Sequence, residues 1–481
     1  MQNSSKALGG LPSTEQLLVA GGDARIALDP LSGLNKYACQ PFPDPQLLAF
    51  ASSTASVIST EGFAVANRLR RKLLEAVSTA PYSAVYAFEM QRIRREWLQL
   101  CELSGSAGLE LVFAPSGTDI HAIAAQYIGS EVSTPALVIM VEANETGSGV
   151  VSAIDNNAVE IVQAPIRLNN GEPRPLAAIN AEVEALVNKA VVSGRRVLLI
   201  LVDQSKTGLI APSPACVIAL QRRFPDNIDV LVDACQFRIA MPTLRAYLEQ
   251  GFMVGLTGSK FLGAPSFSAA LLLPTTVAER FRQQAFSSGL LSGSPQDHVA
   301  NFGLLLRCEV ALEELRSFRA VPQASVIDFL QAFAQAIRQR LTSDPHFEPL
   351  PVPQLDRRPL IEANSWDHLQ TLFPFLLYDA QPGGRMPLNR EQTRHVYRQL
   401  PITIDYSGSD IAMLRCQLGQ PVACGVRNGI AVSALRLCVG SRLIVEATAS
   451  NDKGNAIIKD ALTVLDKTVW LIRQAKTCEA L

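Results

Sequence analysis

Residues 228–273, IDVLVDACQFRIAMPTLRAYLEQGFMVGLTGSKFLGAPSFSAALLL, decide how this chain folds. The first apolar run ends in Asp233, a helical pattern follows, and a second apolar run leads to Thr257 and Lys260. Apolar runs that alternate with helical patterns predict parallel strands joined by crossover helices. Because open α/β sheets bind ligands beyond the carboxyl ends of their strands, Asp233 and Lys260 are candidate site residues.

This pair of opposite charges admits two interpretations. A lysine among apolar residues is costly to bury as the ammonium, so Lys260 is a candidate amine nucleophile for a carbonyl ligand. Pyridoxal 5'-phosphate also needs a carboxylate that keeps its ring nitrogen protonated, and Asp233 suits that role. At about 3 Å and an effective dielectric of about 20, such a pair is worth on the order of 5 kcal/mol before desolvation. The alternative is a strand-end carboxylate and a surface lysine.

The pattern Asp-Ala-x-Gln, a helix, and then Thr-Gly-Ser-Lys resembles the cofactor core of the class V aminotransferase and cysteine desulfurase group. That group lies within the fold-type I pyridoxal-phosphate enzymes. The resemblance implies that Asp233 pairs with the pyridine nitrogen, that Gln236 hydrogen-bonds the ring hydroxyl, and that Lys260 forms the Schiff base. It also implies that Thr257 and Ser259 bind phosphate, although the family often has histidine where Ser259 stands.

Two further stretches are candidate phosphate sites. Gly117 and Thr118 open the helical pattern DIHAIAAQYIG after an apolar run. Free backbone N–H groups and the helix dipole favour an anion there, although an ordinary helix N-cap gives the same pattern. The resemblance implies that Gly117 and Thr118 hold the cofactor phosphate. It also implies that Ser294, where threonine is usual, reaches the phosphate of the neighbouring subunit, which predicts a homodimer with a shared active site.

Two more residues are candidates only through the resemblance. Gln204, in the stretch DQSKTGLIAPS, matches an amide that meets the cofactor hydroxyl or the substrate carboxylate. Arg436 matches an arginine that binds the substrate α-carboxylate in a bidentate pair, with Arg442 as the alternative. Lys206 is the competing Schiff-base lysine, but it follows a polar turn without a strand-end aspartate partner, so Lys260 is preferred.

The sequence departs from the family pattern after the run at 136–141. The family usually has a histidine or aromatic residue there that stacks on the pyridine ring, whereas this chain has Asn144, Glu145 and Thr146. The nearby Gly147 and Gly149 lack the third glycine and the acidic residue of a nicotinamide site, so they are interpreted as a turn. The departure leaves the specific family activity open.

Composition excludes several other classes of protein. The net charge of −1 gives no sign of nucleic-acid or membrane binding. No apolar run approaches the ~20 residues that cross a bilayer, and no leader pattern is present, so we expect a cytoplasmic protein. The nine cysteines include no C-x-x-C pair and the five histidines have no metal-binding spacing, so neither a disulfide framework nor a metal centre is expected.

The chain as a whole predicts an α/β fold with a mainly parallel central sheet, flanked by helices, and a smaller α+β domain. We expect an N-terminal extended arm over 1–48, a large cofactor-binding domain over 49–310, and the small domain over 311–481. The strands include 109–114, 136–141, 159–163 and 197–202, and one long helical pattern runs from 299 to 342.

The predicted function is a pyridoxal-phosphate enzyme acting on an amino acid or other small amine through Lys260, most simply an aminotransferase. The same residues serve lyases, among them desulfurases, C–S lyases and decarboxylases, and kynureninase-like hydrolases. A desulfurase needs a mobile cysteine near the substrate, and we interpret Cys416 and Cys424 as strand cysteines instead. The remaining alternative is a non-catalytic protein that keeps the fold.

Overall fold

A computed structural model describes residues 10–51, 56–129, 134–147, 149–155, 158–288, 300–362, 365–404 and 410–479. The helices are α1 Thr14–Leu18, α2 Thr60–Ala76, α3 Tyr82–Leu100, α4 Gly117–Gly129, α5 Val150–Ile154, α6 Leu176–Val192, α7 Pro214–Arg223, α8 Met241–Glu249, α9 Thr275–Ser288, α10 Phe302–Arg319, α11 Gln323–Ser343, α12 Arg390–Gln399, α13 Asp410–Met413, α14 Ser441–Ala449 and α15 Asn455–Glu479. The strands are β1 Leu47–Phe50, β2 Glu110–Ala114, β3 Ala136–Val141, β4 Val159–Ala164, β5 Val197–Val202, β6 Ile228–Asp233, β7 Met253–Thr257, β8 Ala269–Leu273, β9 Phe347–Pro349, β10 Leu372–Gln381, β11 Gly384–Pro387, β12 Arg415–Arg427 and β13 Ile430–Cys438.

Seven strands form the large sheet, in the order β2-β8-β7-β6-β5-β3-β4. Strand β8 runs antiparallel to both of its neighbours, and the other strands run parallel to one another. Strands β3, β5 and β6 are buried at every position, because helices cover both faces of a parallel sheet. The predicted mainly parallel sheet is confirmed, and its predicted strands end within a residue or two of the observed ones.

The helical pattern predicted as one run over 299–342 is two helices. Helix α10 ends at Arg319 with Ala320 as its C-cap, and α11 begins after Pro322, its N-cap. A proline lacks the N–H that a continuous helix would need, which explains why the chain turns at this point. Helix α10 then packs against α2, α3 and α14.

A second sheet has six strands, with the path β1-β12-β13-β10-β11 and β9 beside β10. All its pairs are antiparallel except β1 with β12, which are parallel. Strand β1 therefore carries the beginning of the chain into the C-terminal sheet. The domain limits at 48 and 310 stay predictions, but β1 and α10 each extend across one of them.

The carboxyl ends of β2, β3, β5, β6 and β7 meet at one edge of the large sheet, because these strands are parallel. The loops that follow them carry the residues predicted for a site. No helix within the described ranges is both long enough and apolar enough to cross a membrane.

Candidate active site

A cavity of about 140 Å³ lies at this edge, and we call it the strand-end cavity. Most of the side chains predicted from the sequence line it: Gly117, Thr118, Asp233, Gln236, Thr257, Ser259, Lys260 and Arg436. These residues come from the ends of three strands, β2, β6 and β7, and from β13 of the second sheet. The sheet order therefore brings together residues that lie more than three hundred positions apart in the chain.

Asp233, the last residue of β6, is held by a histidine that the sequence analysis did not select. The Nε2 atom of His121 lies 3.3 Å from Asp233 Oδ2, and its Nδ1 lies 2.7 Å from the carbonyl oxygen of Gly117. The backbone N–H of Cys235 donates to Asp233 Oδ1 at 3.1 Å. These contacts hold both carboxylate oxygens in place at the cavity wall.

The two groups of this pair stabilise each other's charge. Burial would raise the pKa of Asp233, but His121, with help from Lys260, lowers it below its ordinary value. Burial would likewise lower the pKa of His121, yet the Asp233 carboxylate raises it. Asp233 is therefore an ionised carboxylate that a cationic ligand group can approach from the cavity.

Helix α4 points its N-terminus into the strand-end cavity. Ser116 accepts from the N–H of Asp119 and donates to the Asp119 carboxylate at 2.6 Å, while Gly117 and Thr118 line the cavity. A Cβ on Gly117 would lie only 2.9 Å from Cys235 Sγ. Gly117 therefore allows the helix to approach the end of β6 closely, which leaves backbone N–H groups available to an anion.

Two lysines reach the cavity from neighbouring strand ends. Lys260 follows β7 and also borders a larger groove beside α10 and α14. Lys206 follows β5, and its Nζ donates to the carbonyl oxygens of Asn144 and Ala143 at 3.1 and 3.4 Å. Burial, with the positive charges of Arg436 and Lys260, lowers the pKa of Lys206 to about 8. The sequence placed Lys206 second to Lys260, and the structure brings both into one site.

Arg436 of β13 closes the opposite side of the cavity. The residue is 2% exposed, and its guanidinium donates to the carbonyl oxygens of Lys206 and Gln420 at 3.2 and 3.0 Å. Its buried Nε has no hydrogen-bond partner among the residues that the structure describes. Gly419 of β12 makes room for this side chain, because a Cβ there would lie 3.0 Å from Arg436 Nε. Arg442 donates instead to the carbonyl oxygen of Val57 and borders the neighbouring groove.

The stretch that departs from the family pattern forms a buried network beside the cavity. Glu145 accepts from Arg167 Nε, Ser205 Oγ and Thr207 Oγ1, each at 2.7 Å. Burial would raise the pKa of Glu145, but Arg167 and these hydroxyls lower it. Thr146 lines the cavity, and within the described ranges its buried hydroxyl has no hydrogen-bond partner.

Two predicted residues are not brought to the cavity. Gln204 has a φ of 62°, and its side-chain amide donates to the carbonyl oxygen of Arg238 at 3.1 Å, so it is not among the described residues that line the cavity. Ser294 lies outside the described residues. The cavity also includes Arg25 and Tyr37 from the N-terminal segment, which the sequence analysis predicted as an extended arm and did not assign to the site.

The described cysteines are unpaired and largely buried. Burial raises the pKa of Cys416 to about 12 and of Cys424 to about 11. Both lie on β12 and are at most 1% exposed, as expected for strand cysteines. In the part of the chain that the structure describes, no group of three or more His, Cys, Asp or Glu side chains could hold a metal ion.

Comparison of the sequence with protein-family models and with curated proteins gives no match. The fold, however, is similar to that of an alanine–glyoxylate aminotransferase from Nostoc sp., with a TM-score of 0.53 and 14% identity over 89% of this chain and 97% of that chain. The glutamate decarboxylase domain of a diaminobutyrate-pyruvate transaminase and L-2,4-diaminobutyrate decarboxylase from Vibrio parahaemolyticus has a TM-score of 0.53 and 12% identity over 89% and 81%. A phosphoserine aminotransferase from Cytophaga hutchinsonii has a TM-score of 0.52 and 11% identity over 87% and 98%. The chain has the fold of the fold-type I pyridoxal-phosphate-dependent transferases.

Proposed function

We propose that this protein is a pyridoxal-phosphate enzyme that acts on an amino acid, with Lys260 as the residue that binds the cofactor covalently. The observation that carries the proposal is the ionised Asp233 carboxylate, which His121 holds at the wall of a cavity that also contains Lys260. A buried carboxylate of this kind suits a protonated pyridine nitrogen, and a primary amine suits an aldehyde.

The residues present fit this cofactor. The N-terminus of α4, with Gly117 and Thr118, offers N–H groups and a favourable dipole to the phosphate, and Thr257 and Ser259 line the same cavity. The buried Thr146 hydroxyl, which has no hydrogen-bond partner among the described residues, is a polar group that a ligand would satisfy.

Each residue then has a separate task. Asp233 holds the proton of the ring nitrogen, and the cofactor, when bound, supplies an electron-withdrawing ring that stabilises negative charge at the substrate Cα. Arg436 is suited to bind the substrate carboxylate, since its Nε has no hydrogen-bond partner in the described part of the chain. Lys260 Nζ is suited to move a proton to and from Cα.

Aminotransfer is the reaction we propose first. Two of the structural neighbours are aminotransferases by name, and one is a decarboxylase domain, so lyase and kynureninase-like chemistry are the alternatives. The buried Cys416 and Cys424 give no support to a desulfurase. Incubation with amino acids and 2-oxo acids tests this proposal: aminotransfer yields a new amino acid and a new oxo acid in equal amounts, whereas a lyase releases carbon dioxide, sulfide or ammonia.

Borohydride reduction of the cofactor-loaded protein, followed by peptide mapping, tests the role of Lys260. We expect the pyridoxyl group on Lys260 and no visible absorption band in Lys260→Ala. A pyridoxyl group on Lys206 would mean that Lys206, and not Lys260, binds the cofactor covalently. A protein that stays colourless after addition of pyridoxal phosphate would support the non-catalytic alternative.

Asp233→Asn tests the ring-nitrogen partner. The variant should still bind the cofactor at Lys260. Turnover should fall by on the order of 10²- to 10³-fold, because the carboxylate charge that stabilises the protonated ring nitrogen is lost. Steady-state kinetics at saturating cofactor measure this fall. Undiminished turnover would mean that another group pairs with the nitrogen.

We also propose a cytoplasmic homodimer, as the resemblance implies. Light scattering during size-exclusion chromatography measures the mass in solution. If Ser294 reaches the partner's phosphate, Ser294→Ala should weaken cofactor binding without changing this mass. An active monomer would contradict the shared site.

A further inference from the structure

The charges around the strand-end cavity are unbalanced. Among its described lining residues, Asp233 alone has a carboxylate, which is already paired with His121, whereas Arg25, Lys206, Lys260 and Arg436 all carry or can carry positive charge. Arg25 is paired with Asp23 through bonds of 2.8 and 2.9 Å, so its charge is already offset. Three basic side chains remain for ligands.

The proposed function uses two of these three groups. Lys260 binds the cofactor, and Arg436 binds the substrate α-carboxylate. The phosphate has its own site at the N-terminus of α4, at the turn of Gly117 and Thr118. Neither the cofactor nor the substrate α-carboxylate pairs with the third group, the Lys206 ammonium.

Lys206 lies beside Arg436, and no acidic side chain among the described residues pairs with it. The Arg436 guanidinium donates to the backbone carbonyl of Lys206, and Lys206 Nζ contacts only carbonyl oxygens after β3. Within the described part of the chain, neither side chain forms an ion pair with a carboxylate. The nearby Glu145 carboxylate is already occupied by Arg167, Ser205 and Thr207. Two adjacent cations without anions are costly to hold in a partly buried site unless a ligand supplies negative charge.

We propose that Lys206 binds a second acidic group of the substrate, so that the enzyme selects amino acids with a side-chain carboxylate. This inference rests on the proposed function of the site. Arg436 takes the α-carboxylate, and the Lys206 ammonium takes the side-chain carboxylate. The half-buried position of Lys206 makes it accessible to a ligand while water is partly excluded, which strengthens the ion pair.

The test compares two ligands of equal length that differ in one charge: succinate, a four-carbon dicarboxylate, and butyrate, its monocarboxylate counterpart. Isothermal titration calorimetry at constant ionic strength and neutral pH gives both affinities for the cofactor-loaded protein. We expect succinate to bind more tightly by on the order of tenfold or more, the effect of one charge-assisted hydrogen bond.

Lys206→Met keeps an unbranched side chain of nearly the same length and removes the ammonium group with its charge. It should lower succinate affinity to about that of butyrate and leave butyrate affinity within about twofold. Lys206→Arg should keep the preference, and Lys459→Met, at an exposed lysine of α15, should behave as the unaltered protein. If Lys206→Met does not fold, Lys206→Gln replaces it, and the preference of the unaltered protein still tests the idea.

Three results would overturn the inference: no preference for succinate, a preference that survives loss of the Lys206 charge, or an equal loss of affinity for both ligands when Lys206 is replaced. The last would mean that Lys206 and Arg436 share one carboxylate. The absorption spectrum separates these results from failure of the proposed function. A protein without a visible band after cofactor addition contradicts cofactor binding, and the two affinities measured on that protein still decide the preference.

Discussion

The Asp233 carboxylate depends on one imidazole from a different element. We predict that His121→Ala will weaken pyridoxal-phosphate binding by roughly 1.5–3 kcal/mol, about ten- to a hundredfold. Without the imidazole, burial raises the pKa of Asp233, so the carboxylate takes up a proton more readily and pairs less well with the ring nitrogen. Titration of the apoprotein while following cofactor absorption measures the dissociation constant.

His395→Ala is the matched control, because His395 is an exposed histidine on α12. It should bind the cofactor as the unaltered protein does. If His121→Ala also binds normally, Asp233 is held by its other contacts and His121 serves only packing.

The pKa of Lys206 gives a second prediction at this scale. Burial and the charges of Arg436 and Lys260 lower this pKa to about 8, against opposing contributions from Glu145 and Asp233. A bound side-chain carboxylate would raise it. At pH values above the pKa values of its own two carboxyl groups, succinate affinity should therefore be constant up to about pH 8 and fall as the pH rises further, because free Lys206 loses its proton there. Butyrate affinity should stay level, and the succinate profile of Lys206→Arg should be flat too.

Residues at strand ends were accessible to prediction, whereas their partners were not. Asp233 and Lys260 each follow an apolar run, and that pattern alone locates them at the ligand-binding edge. The same rule applies to Lys206, which follows β5, so the sequence pattern also indicated that Lys206 would lie at this edge. His121 lies inside a helical pattern, and whether a helix residue faces Asp233 depends on how α4 packs on the sheet. Gln204 was selected by analogy, and its left-handed backbone conformation, φ 62°, was not visible in the sequence.

At the scale of elements, the site requires that α4 approach the ends of β6 and β7 closely. We predict that Gly117→Ala weakens cofactor binding, although alanine in a helix is ordinarily favoured by up to about 1 kcal/mol over glycine. The added Cβ would lie 2.9 Å from Cys235 Sγ and 3.4 Å from Thr257 Cγ2, so the helix or the strand end must move. Cofactor titration and thermal unfolding measure the two effects.

The double variant Gly117→Ala/Cys235→Ala separates crowding from other causes. Removing Sγ should restore much of the binding that Gly117→Ala loses, and Gly105→Ala, which meets no atom within 4 Å, should have little effect. If the second substitution restores nothing, close approach of α4 is not the reason for the glycine.

The elements themselves were predicted unevenly. Buried parallel strands such as β3 and β5 are continuous apolar runs, which the sequence displays directly. Strand β1 is four residues long and pairs with β12, which lies more than 360 positions away in the chain, so no local sequence pattern predicts it. Pro322 is a local signal for the break between α10 and α11, but the helical spacing on either side of it led to the prediction of one continuous helical run.

For the whole molecule, a buried ion pair joins the C-terminal region to the large sheet. Arg357, in the segment between β9 and β10, donates from Nε and Nη2 to the two carboxylate oxygens of Asp203, each at 2.7 Å. Tyr247 donates to the same carboxylate at 2.8 Å, and Arg357 also donates to the carbonyl oxygen of Asp367. The backbone N–H of Asp203 donates to the carbonyl oxygen of Asp233, so the ion pair of Arg357 and Asp203 is linked to the site through one backbone hydrogen bond.

We predict that Arg357→Met lowers the free energy of unfolding by about 3–5 kcal/mol, because it leaves the Asp203 charge buried without its partner. Cofactor affinity should fall with it, since the end of β5 lies beside Asp233. Arg358→Met is the neighbouring control: the Arg358 side chain is 73% exposed, and loss of its pair with Asp356 should cost about 0–1 kcal/mol. Denaturant midpoints and cofactor titration measure both variants.

The double variant Asp203→Asn/Arg357→Met removes the unpaired charge and should recover part of the lost stability. A double variant less stable than Arg357→Met would mean that packing of the Arg357 side chain, and not its charge, joins the two regions.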